Sequence, residues 1–221
     1  MSTQIYTRTV VKDESSLIPS NNVINFTGAG VSVSNVDGEA TVVIPGNIST
    51  ANYGLFVQTG NSTPITNTNV ESTLINGGIG TLTVPANGFQ IGDSFRGVFG
   101  GVLNAANNQT IRVRVKAGTV VLLDSGVQNL GNSITNDIFS LNIDFTIRQL
   151  GAAGVASIVS LGGFHYTKIS NGSVQGFSFN VVNNTTFNTT IDNILDVTVQ
   201  WGSANIGNSI YSDIFVLNKT Y

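Results

Sequence analysis

Apolar side chains alternate with polar ones through most of this chain: Val, Ile, Thr and Phe recur in runs broken by Gly and Asn, while Glu, Lys, Ala and Met are sparse. Period-two alternation marks half-buried strands, and the sparse residues are those that favour helix. The pattern predicts an all-β protein. From residue 70 onward strands are expected at 70–75, 79–84, 94–103, 109–116, 119–124, 138–149, 155–168, 174–182, 194–202 and 209–218. Many short strands joined by Gly/Asn turns predict an antiparallel β-sandwich of jelly-roll type.

Two of the longer patterns differ. In 138–147, Leu141, Ile143, Phe145 and Ile147 stand opposite Asn142, Asp144 and Thr146, a one-sided strand. In 209–217, Ile210, Ile214 and Val216 share one parity and Tyr211, Phe215 and Leu217 the other, so both faces are apolar. Such a strand is central in a layered core or buried between subunits; in an antiparallel sandwich the subunit interface is the favoured reading.

Upstream the chain changes character. Residues 1–22 read as a polar extended arm, with a strand-like piece at 5–12 followed by the break Asp13-Glu14-Ser15-Ser16 and Pro19. Residues 23–46 read as a hairpin: Val31 and Val33 alternate with Ser32 and Ser34, Asp37-Gly38 turns the chain, and Ala40, Val42 and Ile44 return. A lone hairpin cannot bury its apolar face, so it needs the next domain or copies of itself. Residues 47–69, rich in Asn, Ser, Thr and Gly, read as a linker or loosely docked segment with one strand at 54–59. The expected organisation is an arm at 1–22, a hairpin shaft unit and linker at 23–65, and a head at 66–221.

Composition narrows the function. Charged residues make up 10% of the 221, against about 25% in an ordinary soluble domain, while Asn, Ser and Thr fill roughly a third of the chain. The net charge of −3 with nine basic residues argues against a nucleic-acid partner. There is no Cys, which excludes disulfides and thiolate metal sites, and the one histidine, His165, leaves no His cluster for zinc. No apolar run has the length of a membrane span, and the start MSTQIYTRTVVKDESS carries no apolar stretch of a secretion signal. No cofactor is expected: Gly28-Ala29-Gly30 lacks the helix a dinucleotide fingerprint requires, and no Gly-x-Ser-x-Gly elbow occurs.

The hairpin FTGAGVSVSNVDGEATVVI (26–44) resembles a segment common in bacteriophage tail-fibre and virion-fibre proteins, matching at Phe26, Gly28, Gly30, Val31, Val33, Asp37, Gly38, Val42 and Ile44. The stretches TLTVPANGFQIGDSFRGVFGG, NAANNQTIRVRVKAGT and DVTVQWGSANIGNSIYSDIFVL are similar to the globular heads that end many phage tail fibres, head fibres and spikes. The resemblance covers about 23–46 and 66–221 by pattern. It implies a trimeric jelly-roll head serving as virion structure, capsid decoration or host attachment, with residues 1–46 contacting other virion proteins. It also implies synthesis in a host cytoplasm without export, which suits an uncharged surface on a chain with no visible signal.

Candidate contact residues are few, and each has a structural alternative. Arg112, Arg114 and Lys116 alternate with Ile111, Val113 and Val115, placing three cations on one strand face. They fit an anion or acidic-glycan site or a ring of charge about a trimer axis; the favoured structural alternatives are a solvated face, or cross-strand pairing with carboxylates such as Asp144 or Asp124. Trp201 beside Gly202-Ser203-Ala204-Asn205 could stack on a sugar, yet it shares parity with Leu195, Val197 and Val199, which predicts a core place. Tyr211 and Tyr221 are similar cases. His165 falls opposite Phe164 and Tyr166 and has no partner pattern around it. The expectation is a non-enzymatic virion protein, a homotrimer whose head meets a host-surface glycan or protein. The alternatives are a virion-associated polysaccharide-degrading enzyme, for which two suitably spaced carboxylates suffice, and a cellular glycan-binding lectin.

Overall fold

The computed structural model describes residues 12–13, 16–17, 32–36, 39–43, 54–167 and 172–221, with side chains from residue 54 onward. The chain divides into two compact units, Met1–Ile48 and Ser49–Tyr221. In the first, β1 (Lys12–Asp13) pairs antiparallel with β2 (Ser16–Leu17), so Asp13 and Ser16, expected in the break at 13–16, are strand residues. The hairpin strands are β3 (Ser32–Val36) and β4 (Glu39–Val43), in register from Val36↔Glu39 to Ser32↔Val43. The expected Asp37-Gly38 turn, the strand-like piece at 5–11 and the Phe26, Gly28 and Gly30 positions lie outside the described residues.

The second unit is the expected all-β antiparallel sandwich. Its larger sheet has eight strands. In spatial order they are β16 (Val174–Asn183), β15 (Ser157–Thr167), β14 (Ile134–Gln149), β10 (Ser94–Ala105), β18 (Ser209–Lys219), β5 (Gly54–Gln58) and β8 (Gly78–Gly80), with β6 (Ile65–Thr66) also on β18. The smaller sheet of six runs β12 (Val120–Asp124), β11 (Thr110–Ala117), β17 (Asn193–Trp201) and β7 (Ser72–Thr73), with β13 (Gln128–Asn129) on β11 and β9 (Thr83–Val84) on β17. No helix occurs among the described residues.

Alternation places the core between the sheets. Phe99, Leu141, Ile143, Phe164 and Phe215 from the larger sheet, with Ile111, Val113, Val115, Val197 and Val199 from the smaller, are fully buried. Each such side chain stabilises the fold by about 1.5–3 kcal/mol relative to exposure. The Phe99 and Phe215 rings stack at 3.9 Å between centroids, and Phe139 stacks on Phe164 at 5.3 Å.

Two expectations need correction. Within 47–69, residues 54–66 supply two strands and buried Phe56 and Ile65, so this part is built into the larger sheet. Pairing draws on backbone groups, which a polar composition does not remove, and only alternate side chains need be apolar. The parity of the last strand also changes partway. Gly100 pairs with Ile214 but Gly101 with Ser212, a bulge that leaves Asp213 unmatched. Ile210 therefore joins Phe215 and Leu217 in the core, while Tyr211, Ile214 and Val216 turn outward. Gly101 makes the bulge feasible: a Cβ there would lie 2.1 Å from the Tyr211 carbonyl oxygen.

Candidate functional site

The cationic stripe of β11 lies on the outer face of the smaller sheet, between β12 and β17. Register sets Arg112 opposite Gln200, Arg114 opposite Thr198 and Lys116 opposite Asp196, with Arg114 facing Asp124 on the other side. Asp124 accepts hydrogen bonds from Arg112 Nε at 2.8 Å and from Arg112 Nη2. Arg114 Nη1 lies 2.8 Å from Glu71 Oε2, an ion pair without hydrogen-bond alignment, while its Nη2 donates to Gln200 Oε1 at 3.0 Å. Glu71 Oε1 also accepts from Thr198 Oγ1 at 2.6 Å and from Lys116 Nζ at 3.3 Å. Thr73 Oγ1 donates to Asp196 Oδ1 at 2.6 Å. Of the two structural alternatives, pairing to Asp124 is the one realised. Asp144 instead pairs with Arg96 on the other sheet, at 2.7 Å.

The electrostatics follow from these partners. Burial alone would raise the Glu71 carboxyl, but the Thr198 hydrogen bond and the charges of Arg114 and Lys116 outweigh it and hold it below its ordinary value. The Arg112 hydrogen bonds hold Asp124 low against burial, helped by the Gly126 N–H. The stripe is therefore a neutralised lattice fastening β7 and β12 to the sheet. It leaves Arg112 beside a shallow depression of about 230 Å³ lined by Asn69, Thr110, Val127, Gln200 and Gly202. Amide, hydroxyl and guanidinium groups around an exposed Val form a polar surface able to hydrogen-bond hydroxyl groups.

The other candidates are elsewhere. Trp201 takes the core place its parity predicts: it is 1% exposed and its Nε1 donates to the Ile65 carbonyl at 3.0 Å, so no open ring face remains for a sugar. Tyr211 is half-buried on the outer face of the larger sheet, beside Val102. His165 is exposed on that same face, opposite Ser140 and Gly176. The structure thus brings together Arg112, Arg114 and Lys116; Trp201 borders the same depression as Arg112 but turns its ring into the core, and Tyr211 lies on the other sheet.

Sequence reasoning missed Glu71, Thr198 and Gln200. The last two carry a readable signal, since Asp196, Thr198 and Gln200 alternate with Val197, Val199 and Trp201 as a polar outer face. Glu71 falls within the expected strand at 70–75, but nothing in that short run names the partner it meets. Among the described residues, no group of three or more His, Asp or Glu side chains could hold a metal ion, and no helix is long and apolar enough to cross a membrane.

No protein-family model matches the chain, nor does any curated protein. Among solved structures, lectin II from Ulex europaeus is similar over 59% of this chain and 79% of its own, at 9% identity and a TM-score of 0.29. The lectin UEA-II complexed with galactose is similar over 57% and 72%, also at 9% identity and a TM-score of 0.29. At this likeness no residue or ligand of those lectins transfers to this chain.

Proposed function

We propose that the chain is a non-enzymatic structural component of a virion, whose sandwich assembles as a homotrimer and presents a head for attachment to a host-surface glycan or protein. The observation that supports assembly is the outer face of the larger sheet. Register lines up Val98, Val216, Val57 and Ile79 across β10, β18, β5 and β8, and Ile214 follows in the next row. Ile79 is 70% exposed and Ile214 50%. A contiguous aliphatic row running from the middle of the sheet to its β8 edge, exposed among the described residues, is the kind of surface that subunit contacts bury.

Residues 1–46 would anchor the head to other virion proteins. Attachment would work through avidity, with weak polar surfaces such as the depression beside Arg112 engaged in several copies at once. The carboxylates nearest that depression favour binding over hydrolysis. Glu71 and Asp124 are held low and ion-paired, whereas a glycosidase acid must be raised.

Two measurements test this reading. Mass spectrometry of particles purified from a producing culture should find the chain as a stoichiometric component, and its absence would contradict the virion role. Purified full-length chain added to host cells first should lower particle adsorption several-fold; unchanged adsorption at micromolar chain would contradict the attachment role.

A further inference from the structure

One end of the sandwich is not fully packed. A cavity of about 180 Å³ lies between the sheets, with walls from both. Protein interiors keep few voids larger than a water molecule, and an apolar cavity of about 150 Å³ is large enough to take up benzene. This space is built around aromatic rings. Phe187, Phe89, Phe95 and Phe145 form a chain with centroid separations of 5.9, 6.0 and 5.5 Å, and all four line it. Ala117, in a strand otherwise filled inwardly by Val and Ile, leaves room on the opposite sheet. The wall at 81–84 is only half-buried, with Thr81 exposed, so this side lies next to solvent.

The polar groups on the lining restrict what could enter. Asp93 and Lys219 both line the cavity, and they neutralise each other through a 2.6 Å contact between Oδ1 and Nζ. Asp93 Oδ2 also accepts the Gln90 N–H at 2.9 Å. An ionic head would have to compete with this pair. Asn193 spends its amide hydrogens on the Asn188 and Ile191 carbonyls, and its side-chain oxygen accepts no hydrogen bond from the described residues. The lining therefore keeps an acceptor at Asn193 and further N–H donors on Lys219.

We propose that this cavity is a binding site for a small neutral ligand, a single aromatic ring or short alkyl group carrying one hydroxyl, which can both donate and accept. Its place inside the sandwich makes it independent of the outer surfaces assigned to assembly and attachment.

The test uses p-cresol on the full-length protein, with benzoate as the charged counterpart. At millimolar p-cresol the melting temperature should rise by several degrees, and ring protons should show intermolecular NOEs to the Ala117 methyl and the Phe187 ring. Ala117→Leu should weaken binding at least tenfold. No NOE to Ala117 or Phe187 in the unaltered protein would overturn the proposal, a result that does not depend on the variant folding. Undiminished binding to folded Ala117→Leu would overturn it as well. Benzoate binding more tightly than p-cresol would overturn the neutral-ligand assignment.

Discussion

Glu71 Oε2 stands 2.8 Å from Arg114 Nη1, and the same carboxylate accepts a hydrogen bond from Thr198. The Arg114 side chain is only 11% exposed. This contact ties the strand after residue 71 to the face of the smaller sheet, since Leu74 N donates to the Val197 carbonyl at 2.7 Å just beyond it.

A pH dependence with a definite sign follows. Glu71 and Asp124 are both more acidic in the fold than their ordinary values of 4.5 and 3.8. The unfolded chain therefore takes up protons first as the pH falls, so this stabilisation is complete above the ordinary values and drains away below them. Melting temperatures between pH 2 and 6 should fall through the acid side of this range. Glu71→Gln should be less stable at pH 7 and lose part of that slope. An identical slope in the variant would contradict the assignment.

The single tryptophan reports on its own burial. Trp201 should emit at short wavelength, resist acrylamide quenching and show no change with added sugars. Trp201→Phe removes the hydrogen bond to the Ile65 carbonyl and should cost about 1–3 kcal/mol in urea denaturation. Strong quenching would contradict the core placement.

The bulge in the last strand makes a contrasting pair of glycine substitutions informative. At Gly101 an added Cβ would meet backbone at 2.1 Å, whereas at Gly118 it meets nothing within 4 Å and only the positive φ of 58° opposes it. Gly118→Ala should cost about 1–2 kcal/mol, and Gly101→Ala clearly more. Equal losses would contradict the close approach of β10 and β18.

Much of this fold was legible because inward and outward residues differ in kind. Leu141, Ile143, Phe145 and Ile147 are buried as their spacing predicts, and Trp201 follows Val197 and Val199 inward. The bulge at Asp213 was not legible, because a one-residue offset leaves each local run of apolar residues intact while exchanging its face. The candidate site was half legible. The three cations and Asp124 could be named from alternation, but Glu71 reaches Arg114 from beside a strand distant in sequence, a pairing that local alternation does not specify. The exposure of Ile79 beside Val57 depends on β8 joining β5 at the sheet edge, a pairing set by backbone and not by side-chain pattern.

Sedimentation equilibrium of the full-length chain at micromolar concentration measures assembly through the outer face of the larger sheet. The expected result is a trimer, with Ile214→Lys giving a folded monomer because a charge at that half-exposed position cannot be buried unpaired. A monomeric unaltered chain, or an Ile214→Lys variant that assembles as well as the parent, would contradict it.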